Sequence, residues 1–310
     1  MKKVFIAVML CSVFAGAGFA GEVDVAATIF PVFGWVLEIS QGADVKVALL
    51  LDKGVDLHSY QPTVDDMMKV AKCDVFVYMG GESDEWVKDA LKNTVNKKQI
   101  AVNLLEVLGD AVKAEELVEG MEHEHHHHDH EAELDEHVWL SLRNAEKICS
   151  YLAGKFAEID TQHKDLYADN LAKYLEKLHA LDNAYEVAVN CSSRKTLLFA
   201  DRFPFRYLVD DYALKYFAAF SGCSAESEAS FHTIKFLAEK VNELNLPCVL
   251  AIEGSNHKIP QTVIASTQAK NQKELVLDSM QSVTLKDVQN SITYLSVMAD
   301  NLKIITEALN

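Results

Sequence analysis

Seven of the twelve histidines fall between His123 and His137, within residues 121–140 (MEHEHHHHDHEAELDEHVWL), a stretch that also holds seven carboxylates. Imidazole and carboxylate side by side form the ligand set of a borderline divalent cation, with Zn²⁺ first and copper or nickel behind it. Six of these histidines, His123, His125, His126, His127, His128 and His130, sit in an acidic low-complexity run without apolar spacing. Such a run buries no face, so a flexible loop over 121–134 is expected. It would bind metal only weakly, because every bound ion must order the chain around it. The run is internal and broken by acids, which does not fit an affinity tag, and its plain alternative is a solvated charge run without a ligand role. His123, Glu124 and His127 match the H-E-x-x-H spacing of metalloprotease helices, but no apolar helical face surrounds them and the match is one of composition. His137 differs from the other six. Val138, Trp139 and Leu140 follow it at once, so it stands where packed structure resumes.

Residues 1–20 carry Lys2 and Lys3, an apolar core from Val4 to Phe14 and small residues ending at Ala20, the pattern of a cleaved signal peptide. No later segment reaches the roughly 18 uninterrupted apolar residues of a membrane span. The mature chain is therefore expected to be exported, periplasmic and monomeric. Lipid anchoring at Cys11 is disfavoured, since bulky Met9 and Leu10 precede it. Removing Lys2 and Lys3 takes the formal charge from −17 to −19. That acidic surface attracts cations and disfavours nucleic acid as a partner. Cys73, Cys149, Cys191, Cys223 and Cys248 are scattered without C-x-x-C spacing, which argues against a cysteine-based zinc site while permitting a disulfide in an oxidising compartment.

What must position His137 is an alternation of β-branched runs and helical patterns. Strands are expected at 23–29, 45–51, 74–79 and 100–104, with helices at 36–40, 63–71 and 85–93; strands follow again at 196–199, 214–220, 248–252 and 274–277. The fold class is α/β, with two lobes, each a mainly parallel four-stranded sheet flanked by helices. Residues 160–189 lack Gly and Pro and place Tyr167, Leu171, Tyr174, Leu178, Leu181 and Tyr185 at steps of three and four. This predicts one long backbone helix joining the lobes. The expected division is a signal peptide at 1–20, an N-terminal lobe at 21–159, a linking helix at 160–190 and a C-terminal lobe at 191–310.

In open parallel sheets, ligands bind beyond the carboxyl ends of the strands. His58 lies there, just before a helix that Thr63 would cap. Asp201, Glu253 and Asp278 follow strands of the second half, where an Asp is as often a cap or turn residue. Glu82 is a further reserve candidate, His257 after the Gly254-Ser255-Asn256 turn reads as a surface residue, and His163, His179 and His232 lie on expected helices without a ligand role.

The stretch DLHSYQPT at 56–63, the histidine-rich acidic loop and DEHVWLS at 135–141, in that order, resemble the cluster A-I solute-binding proteins of zinc and manganese ABC importers, over essentially the whole mature chain. The resemblance implies a metal site in the cleft between two lobes, with His58 and His137 as ligands and Asp278 at the fourth position. At the third position such proteins carry a histidine. Here the segment reads Phe199-Ala200-Asp201-Arg202-Phe203, with Ala200 in the ligand place, so Asp201 is the expected substitute, with another residue or water completing the sphere as the alternatives. The implied function is capture of Zn²⁺, with Mn²⁺ as the alternative, for delivery to an ABC permease in the membrane. A periplasmic metal buffer or chaperone is a second reading. A zinc hydrolase is disfavoured, since no nucleophile motif or phosphate loop accompanies the histidines, and the expected metal set is His58, His137, Asp201 and Asp278.

Overall fold

The computed structural model describes residues 22–121, 133–224 and 228–310. The expected signal peptide and His123, His125, His126, His127, His128 and His130 lie outside the described residues.

Strands β1 (Val23–Ala27), β2 (Val45–Leu49), β3 (Val75–Tyr78) and β4 (Ile100–Asn103) form one sheet in the order β2-β1-β3-β4, with every pair parallel. The central β3 is a continuous, mostly buried apolar run, as a parallel strand covered on both faces requires, while Asp24 of β1 and Lys46 of β2 face solvent. Helices α1 (Phe30–Ser40), α2 (Val64–Lys72) and α3 (Val87–Lys92) lie between the strands, and α4 (Leu104–Leu108) follows β4. α1 starts earlier than expected, since Pro31 in its first turn loses no helical hydrogen bond there. Thr63 caps α2 as expected and forms a capping box with Asp66. Caps of this kind contribute about 1 kcal/mol.

Next come α5 (Leu142–Ile159) and α6 (Lys164–Cys191). α5 is missing from the sequence-based expectations, although Leu142, Ala145, Ile148, Cys149, Leu152 and Phe156 fall at helical steps and all are buried. α6 is the expected long helix. Its 28 residues extend about 42 Å at 1.5 Å per residue. It packs on α1 and α5 and reaches the C-terminal helix, where the Tyr185 hydroxyl donates to the Met298 carbonyl at 2.6 Å.

The second sheet has the same plan: β5 (Thr196–Phe203), β6 (Lys215–Ser221), β7 (Cys248–Ile252) and β8 (Lys273–Leu277), in the order β6-β5-β7-β8, all parallel. Helices α7 (Arg206–Asp211), α8 (Phe231–Leu244), α9 (Lys258–Ser266), α10 (Leu285–Gln289) and α11 (Tyr294–Ala308) accompany it. β5 is longer than expected. Its register against β6 shifts between Phe199 and Arg202, a bulge that spans Ala200 and Asp201.

One apolar core runs through both halves, taking in Val25 and Phe76, then Trp139 and Tyr185, then Phe199 and Leu250. Residues 135–139 are tied to the second half. Trp139 Nε1 donates to the Ser279 carbonyl at 2.8 Å, Tyr294 donates to the Trp139 carbonyl at 2.7 Å, and Tyr207 donates to the Asp135 carbonyl at 2.7 Å. His137 thus has an anchor to the second half on each side of it along the chain.

Candidate metal site at the junction of the two sheets

His58 sits in a single 3₁₀ turn, Leu57–Ser59, beyond the carboxyl end of β2. Asp56 caps this turn by accepting from the His58 N–H at 2.9 Å. The other Asp56 oxygen pairs with Arg202 of β5 at 2.7 Å, tying the turn to the second half. The His58 Nδ1 lies 2.8 Å from the Ser83 hydroxyl, on the loop after β3. Ser83 also donates its N–H to Glu136 Oε1 at 3.0 Å. Gly81 makes this approach possible. Its φ is +78°, and a Cβ there would fall on the Glu136 carboxylate.

His137 is fully buried. A polar ring can be buried at low cost only when both nitrogens find partners. Asp135 Oδ1 accepts from the His137 backbone and lies 2.9 Å from its Nδ1. That fixes the ring and aims Nε2 outward, the arrangement in which a carboxylate behind a histidine orients it as a metal ligand. The Nε2 atoms of His58 and His137 are 3.1 Å apart. Two lone pairs do not face each other at that distance, so one N–H lies between the rings. Burial pushes His58 down to about 4, aided by His137 and Arg202, and leaves it neutral near pH 7. Burial also pulls on His137, but Asp135, by charge and hydrogen bond, holds it above its ordinary value.

The third member of the cluster is Cys223, just after β6. One donor atom from each of His58, His137 and Cys223 lies within 4.8 Å of the others, the one such group of three among the described residues. The Cys223 N–H donates to Glu115 at 2.8 Å. Burial, then the charges of Glu115, Asp135 and Glu136, push its thiol well above the ordinary range. Tetrahedral zinc bonds of about 2.05 Å to nitrogen set neighbouring ligands about 3.3 Å apart, close to the observed nitrogen pair. The donor set therefore fits a tetrahedral divalent cation. Glu136 adds a buried carboxylate whose Oε2 has no hydrogen-bond partner and lies 3.8 Å from His58 Nδ1.

Of the four expected ligands, the structure brings His58 and His137 together and leaves Asp201 and Asp278 outside that group. Asp201 accepts from the N–H of Arg202 at 2.9 Å and of Ile252 at 3.4 Å. With Asp56, Arg202 and Glu253 it lines a polar cavity of about 340 Å³. Asp278 accepts from the Met280 N–H at 2.7 Å, and the Asp278 N–H donates to Asn301 at 2.9 Å. Glu253 accepts from the N–H and hydroxyl of Ser279, and burial beside Asp278 raises it to about 7. Ala200 packs with Leu198, Ala219, Leu237 and Val263 in a small apolar cluster. Glu82 is exposed on its turn. His163, His179 and His257 pair with Asp160, Glu146 and Glu274, away from the site.

Sequence reasoning missed Cys223, Ser83, Glu136 and the orienting Asp135. Cys223 follows a strand end as His58 does, and that position was its one available signal.

The family described as zinc-uptake complex component A, periplasmic (ZnuA), matches residues 25–308. The chain is similar to the zinc-binding lipoprotein AdcA of Streptococcus pneumoniae serotype 4, with 29% identity over 99% of this chain and 61% of that protein. It thus spans about three-fifths of the length of the AdcA relatives. The high-affinity zinc uptake system protein ZnuA of Bacillus subtilis is 27% identical over 93% of this chain and 88% of its own. The zinc-bound ZnuA-like domain of S. pneumoniae AdcA superposes with a TM-score of 0.74 at 27% identity, covering 93% of this chain and 99% of that domain. The periplasmic zinc-binding protein TroA of Treponema pallidum shares the fold with a TM-score of 0.76 at 21% identity over 93% of this chain and 99% of its own. The chain belongs to the ZnuA family of periplasmic zinc-uptake components.

Proposed function

We propose that this chain captures Zn²⁺ outside the cytoplasm and hands it to an ABC-type membrane permease, with His58 and His137 as metal ligands. The observation that carries the reading is the pair of Nε2 atoms 3.1 Å apart at the junction of the two halves. Each ring is held from behind, His58 by Ser83 and His137 by Asp135. Such a site is preorganised, so little ordering opposes binding. The relatives named for zinc binding and zinc uptake support the same reading. The reading is one of reversible binding rather than catalysis. Mn²⁺ is the alternative cargo, and the histidine-rich run is a secondary, weaker collector. The working division is an N-terminal lobe at 21–159, a linking helix at 160–190 and a C-terminal lobe at 191–310. No helix among the described residues is long and apolar enough to cross a membrane.

The test is titration of metal-free protein with Zn²⁺ and with Mn²⁺ against a competing chelator. One tight zinc site per chain is expected. Tight Mn²⁺ binding with weak Zn²⁺ binding would reverse the cargo assignment.

A further inference from the structure

Building on the zinc reading of the His58–His137 site, we propose that Cys223 supplies the third protein donor as a thiolate, and that this sulfur makes the site prefer Zn²⁺ over Mn²⁺. Ala200 has no donor atom, and its side chain is sealed among Leu198, Ala219 and Leu237 on the far side of β5. The neighbouring Asp201 is engaged by backbone N–H groups. The site therefore lacks a third imidazole, and the loop after β6 fills the gap. Its backbone is pressed onto His137. A Cβ at Gly222 would meet the Phe203 carbonyl at 2.9 Å and His137 Cε1 at 3.0 Å, so the chain passes this close only as glycine. The next residue is Cys223, anchored by its N–H on Glu115 and with Sγ inside the 4.8 Å donor group. Cys73, Cys149 and Cys248 are buried elsewhere, and Cys191 is exposed.

As the ion enters, the Cys223 S–H bond breaks and a sulfur–zinc bond forms with the thiol proton leaving to water, while the proton between the imidazoles leaves Nε2 for the Nδ1 of its own ring, or for water where it had made that ring an imidazolium. Zinc accepts two nitrogens and one sulfur at about 2.0–2.1 and 2.3 Å. Manganese favours oxygen donors and gains little from sulfur. Thiolate ligation therefore separates the two ions at the one place where this chain departs from a histidine.

The experiment loads the metal-free full chain with Co²⁺, kept reduced, and reads the near-ultraviolet thiolate-to-cobalt charge-transfer band. The parent and Cys191→Ser should show it, and Cys223→Ser should not. In parallel, Cys223→Ser and Cys223→Ala should lose at least about tenfold in Zn²⁺ affinity by chelator competition, with a smaller loss for Mn²⁺. Thermal melting of both variants without metal checks that they fold as the parent does. Tight Zn²⁺ binding by a parent that shows no band, or a band that survives in Cys223→Ser, would overturn the thiolate and leave the histidine reading standing. Absence of tight Zn²⁺ binding in the parent would overturn both.

Discussion

His58 and His137 come from loops 79 residues apart and turn their Nε2 atoms towards each other, with backing groups on the opposite ring nitrogens. Asp201 lies in the bulge of β5, and Glu253 and Asp278 directly follow β7 and β8, yet each has turned an oxygen onto nearby backbone N–H groups. The two sheets have the same topology, so position beyond a strand end marks where a ligand group can sit without deciding that it is one. What decides is whether local donors already satisfy the side chain. A carboxylate accepts readily from loop N–H groups, whereas an imidazole held by its Nδ1 must present Nε2 elsewhere.

The largest effect expected from this contrast is at the imidazoles. His58→Ala and His137→Ala should each weaken Zn²⁺ binding by well over tenfold in chelator-competition titrations, with melting of the metal-free protein little changed for His58→Ala. Parent-like binding by either variant would break the contrast at its first side.

Asp135→Asn should come next. Replacing the carboxylate behind a ligating histidine costs about 10- to 100-fold in metal affinity. The amide can still bond the ring but no longer favours the orientation or charge that the carboxylate sets. A zinc titration giving less than about a threefold change would show that His137 is held by packing alone.

The pH dependence follows from the same groups. Zn²⁺ binds deprotonated imidazoles. His137 is held above its ordinary value and so takes up a proton at higher pH than a free imidazole would, while His58, pushed down to about 4, stays neutral. Zinc affinity should therefore fall at least about tenfold from pH 8 to pH 6. A flat profile by titration calorimetry would contradict ligation by His137.

Smaller effects are expected in the second sheet. Asp201→Asn should change Zn²⁺ affinity by less than about threefold, and a tenfold loss would return Asp201 to the ligand set. Glu253 is raised to about 7, so the folded state binds its proton more tightly than the unfolded chain does. Its stabilising contribution is complete at low pH and is lost as pH rises towards 7 and above. Glu253→Gln should accordingly raise the melting temperature of metal-free protein by a few degrees at pH 8 and not at pH 4. Equal shifts at both pH values would assign the effect to packing. Deleting residues 122–133 should lower the number of bound ions by mass spectrometry while keeping the tight site.

The sequence made both sheets, the long helix and the two imidazoles legible, because apolar runs, missing breakers and the DLHSYQPT and DEHVWLS stretches are local signals. The third donor was not local. Ala200 was matched to a ligand position by ungapped comparison, and by ordinary strand alternation it shares with Leu198 the face packed in the apolar cluster beside α8. Cys223 reaches His137 from another strand end, a contact set by the close passage of Gly222. Ser83 and Glu136 were hidden for the same reason. Their partners lie on loops that only the sheet brings together.

The most direct test is a crystal structure of the zinc-loaded chain with anomalous data collected at the zinc absorption edge. The account predicts an anomalous peak about 2.0–2.1 Å from the Nε2 atoms of both His58 and His137. A peak on Asp201, Glu253 or Asp278 and remote from both imidazoles would contradict it.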